Sequence, residues 1–174
     1  MNDSMKRPAR DEAIEYYFKY IDLVPDGDIR DILESQRQET LAFLESIPEA
    51  KAAHRYATDK WTVSDVVGHI NDCERLFIMR TFWFARGMEG EMPSFEQEDA
   101  VITAKANDRA WATHIQEFGA VRDATTSLFR NLPDEAWSRR GIASGNEFTV
   151  NACAWITAGH VIHHLQILRE RYLQ

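Results

Sequence analysis

Four stretches of this chain repeat apolar residues at helical spacing, and the only concentrations of Gly, Pro and Asn fall between them. Glycine occurs only eight times and proline five in 174 residues. The first stretch, about Asp28 to Ser46, puts Ile29, Ile32, Leu33, Gln36, Thr40, Leu44 and Ile47 on one face and stops at Pro48. The second starts at Thr62, where Thr62-Val63-Ser64-Asp65 has the form of a capping box, and runs to about Arg86 ahead of Gly87. The third, about Asp108 to Asn131, carries Trp111, Ile115, Phe118, Val121, Thr125 and Leu128 and ends before Pro133. The fourth is capped by Thr149 and continues to about Tyr172. No strand repeat competes with this pattern. The predicted fold class is all-α: a four-helix bundle over 28–174 preceded by an N-terminal arm over 1–27, in one domain spanning 1–174.

The connections narrow the topology. Residues 87–107 hold Gly90, Pro93 and five carboxylates, which reads as a long crossover with at most one short turn of helix, and this length lets the second and third helices run parallel. The arm is dense in aromatics (Tyr16, Tyr17, Phe18, Tyr20) before the break Pro25-Asp26-Gly27, so it is expected to lie on the bundle. Residues 141–146 read as a glycine-rich turn.

Charge limits the partners. Twenty Lys and Arg against 28 Asp and Glu leave a net charge of -8, which opposes a phosphate backbone, and no basic stripe overrides it. No apolar run approaches the length of a membrane span, and the first residues lack the apolar core of a signal peptide. The expectation is a cytoplasmic protein that binds neither nucleic acid nor membrane and acts on small molecules. Cys73 and Cys153 fit a reducing compartment, as buried thiols.

The chemistry lies in the histidines. His160 and His164 are one turn apart on a stripe of the fourth helix that also carries Cys153, Ile156, Thr157 and Ile167. His69 sits on a comparable stripe of the second helix with Val66, Asp72, Cys73 and Leu76. Three imidazoles from two facing helices would hold a transition metal and leave coordination positions open, the arrangement of a catalytic ion. The plainer alternative is a set of core histidines satisfied by Thr157, Asp72 or backbone. Asp72, three residues beyond His69, is either a base and orienting carboxylate or an ordinary surface acid. His163 faces elsewhere; His54 and His114 are expected in solvent. Glu74, Arg75 and Arg80 read as surface or inter-helix ion pairs. The thiols of Cys73 and Cys153 are further possible ligands, with burial as hydrophobes the simpler reading. No nucleophile elbow, glycine-rich phosphate loop, C-x-x-C or H-E-x-x-H is present.

The run Lys60 to Arg75 around His69, the Phe84-Ala85-Arg86-Gly87 helix end and the run Ala158 to Tyr172 around His160 and His164 resemble the DinB/YfiT-like metalloenzymes. The arm 16–25, the loop Pro93-Ser94-Phe95-Glu96 and residues 132–141 extend the likeness over nearly the whole chain. The resemblance implies an up-down-down-up four-helix bundle and a divalent transition metal, Zn or Ni foremost, held by His69, His160 and His164. It also implies a homodimer and an enzyme that is either a metal-dependent hydrolase or an S-transferase using a low-molecular-weight thiol. A non-catalytic metal-binding or structural stress-response bundle is the alternative. Ser94 stands where relatives often have glycine, and Ala100 where an aromatic is frequent.

Overall fold

The computed structural model describes residues 6–174, so the first five residues of the predicted arm lie outside the described residues. The arm forms a 3-10 turn, Glu15–Tyr17, and the short helix α1, Phe18–Ile21, and it buries Phe18, Tyr20, Ile21 and Val24 against the bundle. Arg7 donates to the carbonyls of Ile21 and Val24 at 2.7 and 2.5 Å, satisfying acceptors at the end of α1.

The bundle helices are α2 (Ile29–Ser46), α3 (Val63–Ala85), α5 (Trp111–Arg130) and α6 (Val150–Ile167), with α4 (Gln97–Ala104) inside the crossover. Their starts follow the local signals. Asp28 accepts from the Arg30 N–H to cap α2, Thr62 and Asp65 close a reciprocal capping box on α3, and Thr149 accepts from Ala152 N to cap α6. Helix α5 begins three residues later than the periodicity predicts. Ala106–Asp108 form a 3-10 turn instead, after Lys105 ends α4 with a positive φ of 47°. The last residues, Leu168–Tyr172, continue α6 as a π-helical turn.

A small sheet corrects the expectation of a plain turn at 141–146. Strands β1 (Arg140–Ala143) and β2 (Asn146–Thr149) pair antiparallel through a two-residue loop, with Ser144 and Gly145 at φ of 52° and 73°. Positive φ at both loop residues matches the twist of paired strands. Gly141 is needed here, because a Cβ would lie 1.9 Å from the Phe84 ring at the end of α3.

Helix α3 packs against α5 and α6, and α2 packs against the same two helices. Ion pairs and one hydrogen bond give the directions. Asp31–Arg130 and Arg37–Asp123 run antiparallel between α2 and α5. Asn71 with the His114 carbonyl and Glu74 with Arg122 run parallel between α3 and α5. This is the up-down-down-up bundle. Glu74 and Arg122 are fully interior, and Arg122 also donates to Gln36 Oε1 while Gln36 donates to the Ala158 carbonyl, so one polar chain touches all four helices. Arg75 pairs across helices with Glu117 at 2.8 Å, as anticipated. Arg80 does not: it is buried, with no ion pair among the described residues.

Two apolar clusters fill the bundle. One gathers Phe18, Phe84, Phe129, Trp137 and Trp155; the other gathers Val63, Val67, Trp111, Leu165 and Tyr172. On α3 the change from one to the other falls between Ile70 and Cys73, and on α6 between Ala158 and Val161. The histidines sit at that junction. No helix among the described residues is long and apolar enough to cross a membrane.

Candidate metal centre

The antiparallel contact of α3 and α6 brings His69, His160 and His164 together. Their ligand-capable nitrogens all lie within 4.8 Å of one another. His160 Nε2 is 3.2 Å from His69 Nε2 and 3.1 Å from His164 Nε2. His69 and His160 are 3% and 4% exposed, and His164 is partly buried toward the outside.

Aromatic rings enclose the group. Trp61, just ahead of α3, stacks obliquely on His69 at 4.8 Å, while Phe77 and Tyr20 present edges to His160 at 5.5 and 5.3 Å. Gly159 makes the contact with Tyr20 possible, because a Cβ there would sit 2.1 Å from the Tyr20 carbonyl oxygen.

Burial sets the protonation state. Loss of solvent lowers His69 to about 4 and His164 to about 2, and His160 falls well below its ordinary value, with the neighbouring imidazoles adding to the effect in His160 and His164. All three are therefore neutral, and each offers a lone pair. A ring nitrogen has a single in-plane position, taken by a proton or by a lone pair. His160 Nε2 thus cannot form a linear hydrogen bond to both neighbours at once. A cation accepting three lone pairs resolves that conflict, and three imidazoles suit a borderline transition metal better than Ca or Mg. The residues fit a metal of that kind.

The structure does not bring Asp72 to this group. Its carboxylate accepts from Arg75 at 3.2 Å and lines a separate recess with Ala100, Thr103, Ala104 and Arg109. Cys73 Sγ is 3.6 Å from the His69 ring nitrogens, and burial pushes both Cys73 and Cys153 up to about 12, which keeps them thiols. His163 is partly buried beside His164, with ring centroids 5.1 Å apart. Two histidines expected in solvent are not there. His114 is fully buried and its Nε2 donates to the Ala106 carbonyl at 2.9 Å, while His54 is partly buried near Tyr172. The 3-10 turn that ends the crossover supplies that carbonyl and helps to cover His114.

Two clefts open beside the centre. One, of about 300 Å³, reaches His69 and His160 past Tyr17, Phe77, Arg80, Phe95 and Ser144. The other, of about 330 Å³, reaches His164 past Lys19, Tyr56, Lys60, Trp61 and His163. Tyr16, Tyr20 and Gln97 border both. Arg80 reads from sequence as a surface or inter-helix ion pair, although the α3 stripe His69, Cys73, Leu76 continues to it at the next step of four. The arm tyrosines and Trp61 left no comparable signal, since aromatics in such positions read as packing.

The sequence profile of the DinB superfamily matches residues 32–168, most of the chain and all three histidines. The chain belongs to the DinB superfamily. Its fold is similar to that of YfiT from Bacillus subtilis, described as a probable metal-dependent hydrolase with an unusual four-helix bundle topology. That likeness has a TM-score of 0.65 and 16% identity over 93% of this chain and 91% of YfiT. The mycothiol-dependent maleylpyruvate isomerase has a TM-score of 0.66 and 13% identity over 79% of this chain. Against that longer protein this DinB chain spans 58% of the length. No curated protein matched in sequence. At these identities the likeness concerns the bundle, and the three-histidine cluster is a property of this DinB chain's own residues.

Proposed function

We propose that this protein is a metal-dependent enzyme acting on small molecules, and that its reaction is transfer of a low-molecular-weight thiol. The observation that carries the reading is the convergence of three neutral imidazole nitrogens between two clefts. A divalent transition metal held by His69, His160 and His164 would supply Lewis acidity, the means of stabilising a thiolate or polarising an electrophile at neutral pH. The protein's own groups do the rest. Trp61, Phe77 and Tyr20 exclude water from the inner faces of His69 and His160, which strengthens every electrostatic contact there. Tyr20 stays a neutral phenol, since burial raises its pKa, and it borders both clefts where it can orient a ligand in either.

Two openings on one centre suit two reactants that meet there, a thiol and an electrophile. Hydrolysis, the assignment of YfiT, calls for a base near the reacting water; Asp72 is held by Arg75 in another recess, which favours the thiol reading over it. Cys73 and Cys153 are too poorly ionised to serve as the nucleophile, so the thiol comes from solution.

Elemental analysis of untagged protein tests the metal, with the His69→Ala, His164→Ala double variant as the blank. About one equivalent of transition metal in the wild type and none in the variant is the expected result. A chromogenic electrophile offered with a panel of small thiols tests the reaction. A rate that depends on one thiol supports transfer, and turnover indifferent to every thiol supports hydrolysis instead. Assembly as a homodimer belongs to the same proposal, and a monomer in sedimentation at micromolar concentration would contradict it.

A further inference from the structure

Arg80 is 4% exposed and lines the cleft that leads to His69 and His160. Its Nη2 donates to the Pro93 carbonyl at 3.0 Å and to Ser144 Oγ at 3.1 Å. Its Nε has no hydrogen-bond partner, and no carboxylate pairs with the guanidinium among the described residues. The contrast with Arg122 is direct: that interior guanidinium is neutralised by Glu74 and donates to two further acceptors. A buried charge without a counter-ion is strongly disfavoured unless something compensates it. Glu96, on the rim of the same cleft, is exposed and makes no ion pair with it.

The walls around Arg80 are those of a ligand site. Phe77, Phe95 and the Tyr17 ring supply apolar surface, and burial raises the Tyr17 pKa while the adjacent Arg80 opposes that rise. Ser144, held at a positive φ in the β1–β2 loop, and Pro93 in the crossover fix the guanidinium through Nη2, the Tyr17 hydroxyl interacts with it from the arm, and Nε is left for something else. Guanidinium groups pair with planar carboxylates through parallel N–H bonds.

We infer that Arg80 is the anchor for a carboxylate carried by the substrate, and that the substrate is a small organic acid with a flat, apolar body, seated with its far end toward His69 and His160. This assigns a substrate class to the centre and rests on the proposed function in that respect; the anion site itself stands on Arg80 alone.

The test compares benzoate with benzamide, which match in shape and differ in charge, by calorimetric titration of the full chain as purified, with metal content measured on the same sample and the titration repeated after chelation. Benzoate is expected to bind at least about tenfold more tightly, before and after chelation. The preference should disappear in Arg80→Gln and persist in weakened form in Arg80→Lys, which keeps the charge and should keep the fold. Equal affinity for the two ligands in the wild type, or no saturable binding of benzoate, overturns the inference. So does a preference that survives Arg80→Gln, or one that chelation abolishes, since the carboxylate would then be sitting on the metal. Absence of metal would sink the proposed function while leaving the benzoate preference measurable, so the two failures are distinguishable.

Discussion

Arg122 lays its Nε and Nη2 edge against the carboxylate of Glu74 at 2.6 and 2.8 Å, and neither side chain is more than 2% exposed. Parallel neighbours α3 and α5 are joined at mid-height by this pair. Removing one partner leaves an uncompensated interior charge, so Glu74→Leu is expected to cost about 3–5 kcal/mol. The double variant Glu74→Leu, Arg122→Met should recover most of that loss in urea titrations. Equal destabilisation of the single and double variants would contradict this account.

The proposed metal should act on stability as well as chemistry. A ligand that binds only the folded chain stabilises it by mass action, about 2.7 kcal/mol at a hundredfold excess over Kd. Added zinc or nickel is therefore expected to raise the Tm of chelated wild-type protein. His160→Ala should lose that response, because His160 Nε2 stands between the other two nitrogens. Calorimetric scans with and without metal decide it.

Gly159→Ala should loosen the arm. The new methyl group would fall 2.1 Å from a backbone oxygen of Tyr20, and backbone cannot swing aside as a side chain can. Overpacking of this kind costs about 1–3 kcal/mol. Limited proteolysis should then cut the variant between Glu15 and Leu23 sooner than the wild type, whereas an unchanged cleavage rate would show that the arm adjusts without leaving.

Cys153 should resist alkylation while the protein is folded. With its pKa raised by burial to about 12, only about one molecule in ten thousand carries the thiolate at pH 8. Iodoacetamide labelling followed by mass spectrometry is expected to be slow in buffer and fast in denaturant.

Asp28 makes the fold acid-sensitive. Its pKa is lowered mainly by the Arg30 side chain, so the carboxylate favours the folded state at any pH above the unfolded value near 3.9, and that contribution fades as pH falls through the lower folded value. Asp28→Ala should cost about 1 kcal/mol at neutral pH and flatten the acid limb of the stability profile. An acid limb identical to the wild type would reject the assignment.

Much of this was readable beforehand because it is local. The capping box at Thr62 and the cap at Thr149 depend on residues three apart, and each forms as expected. The pairing of His160 with His164 is equally local, and the mainly apolar stripe around it pointed inward. What escaped notice is long-range. Glu74 reads as a surface or inter-helix ion pair, but nothing local says that its partner is Arg122, 48 residues away. His114 is covered by the Ala106 turn of the crossover, whose path no periodicity describes. The β1–β2 hairpin uses strands of four residues, too short for an alternating pattern to register. Asp72 shares a helix with His69 yet turns to Arg75, a choice of rotamer and neighbour that spacing alone does not decide.

His69 and His160 are 91 residues apart in the chain, and both of the later ligands lie on the last helix. A nascent chain that has emerged only through α5 therefore owns one ligand of the three, and no amount of available metal can organise it. On the proposed metal reading, ion capture waits until α6 has been made.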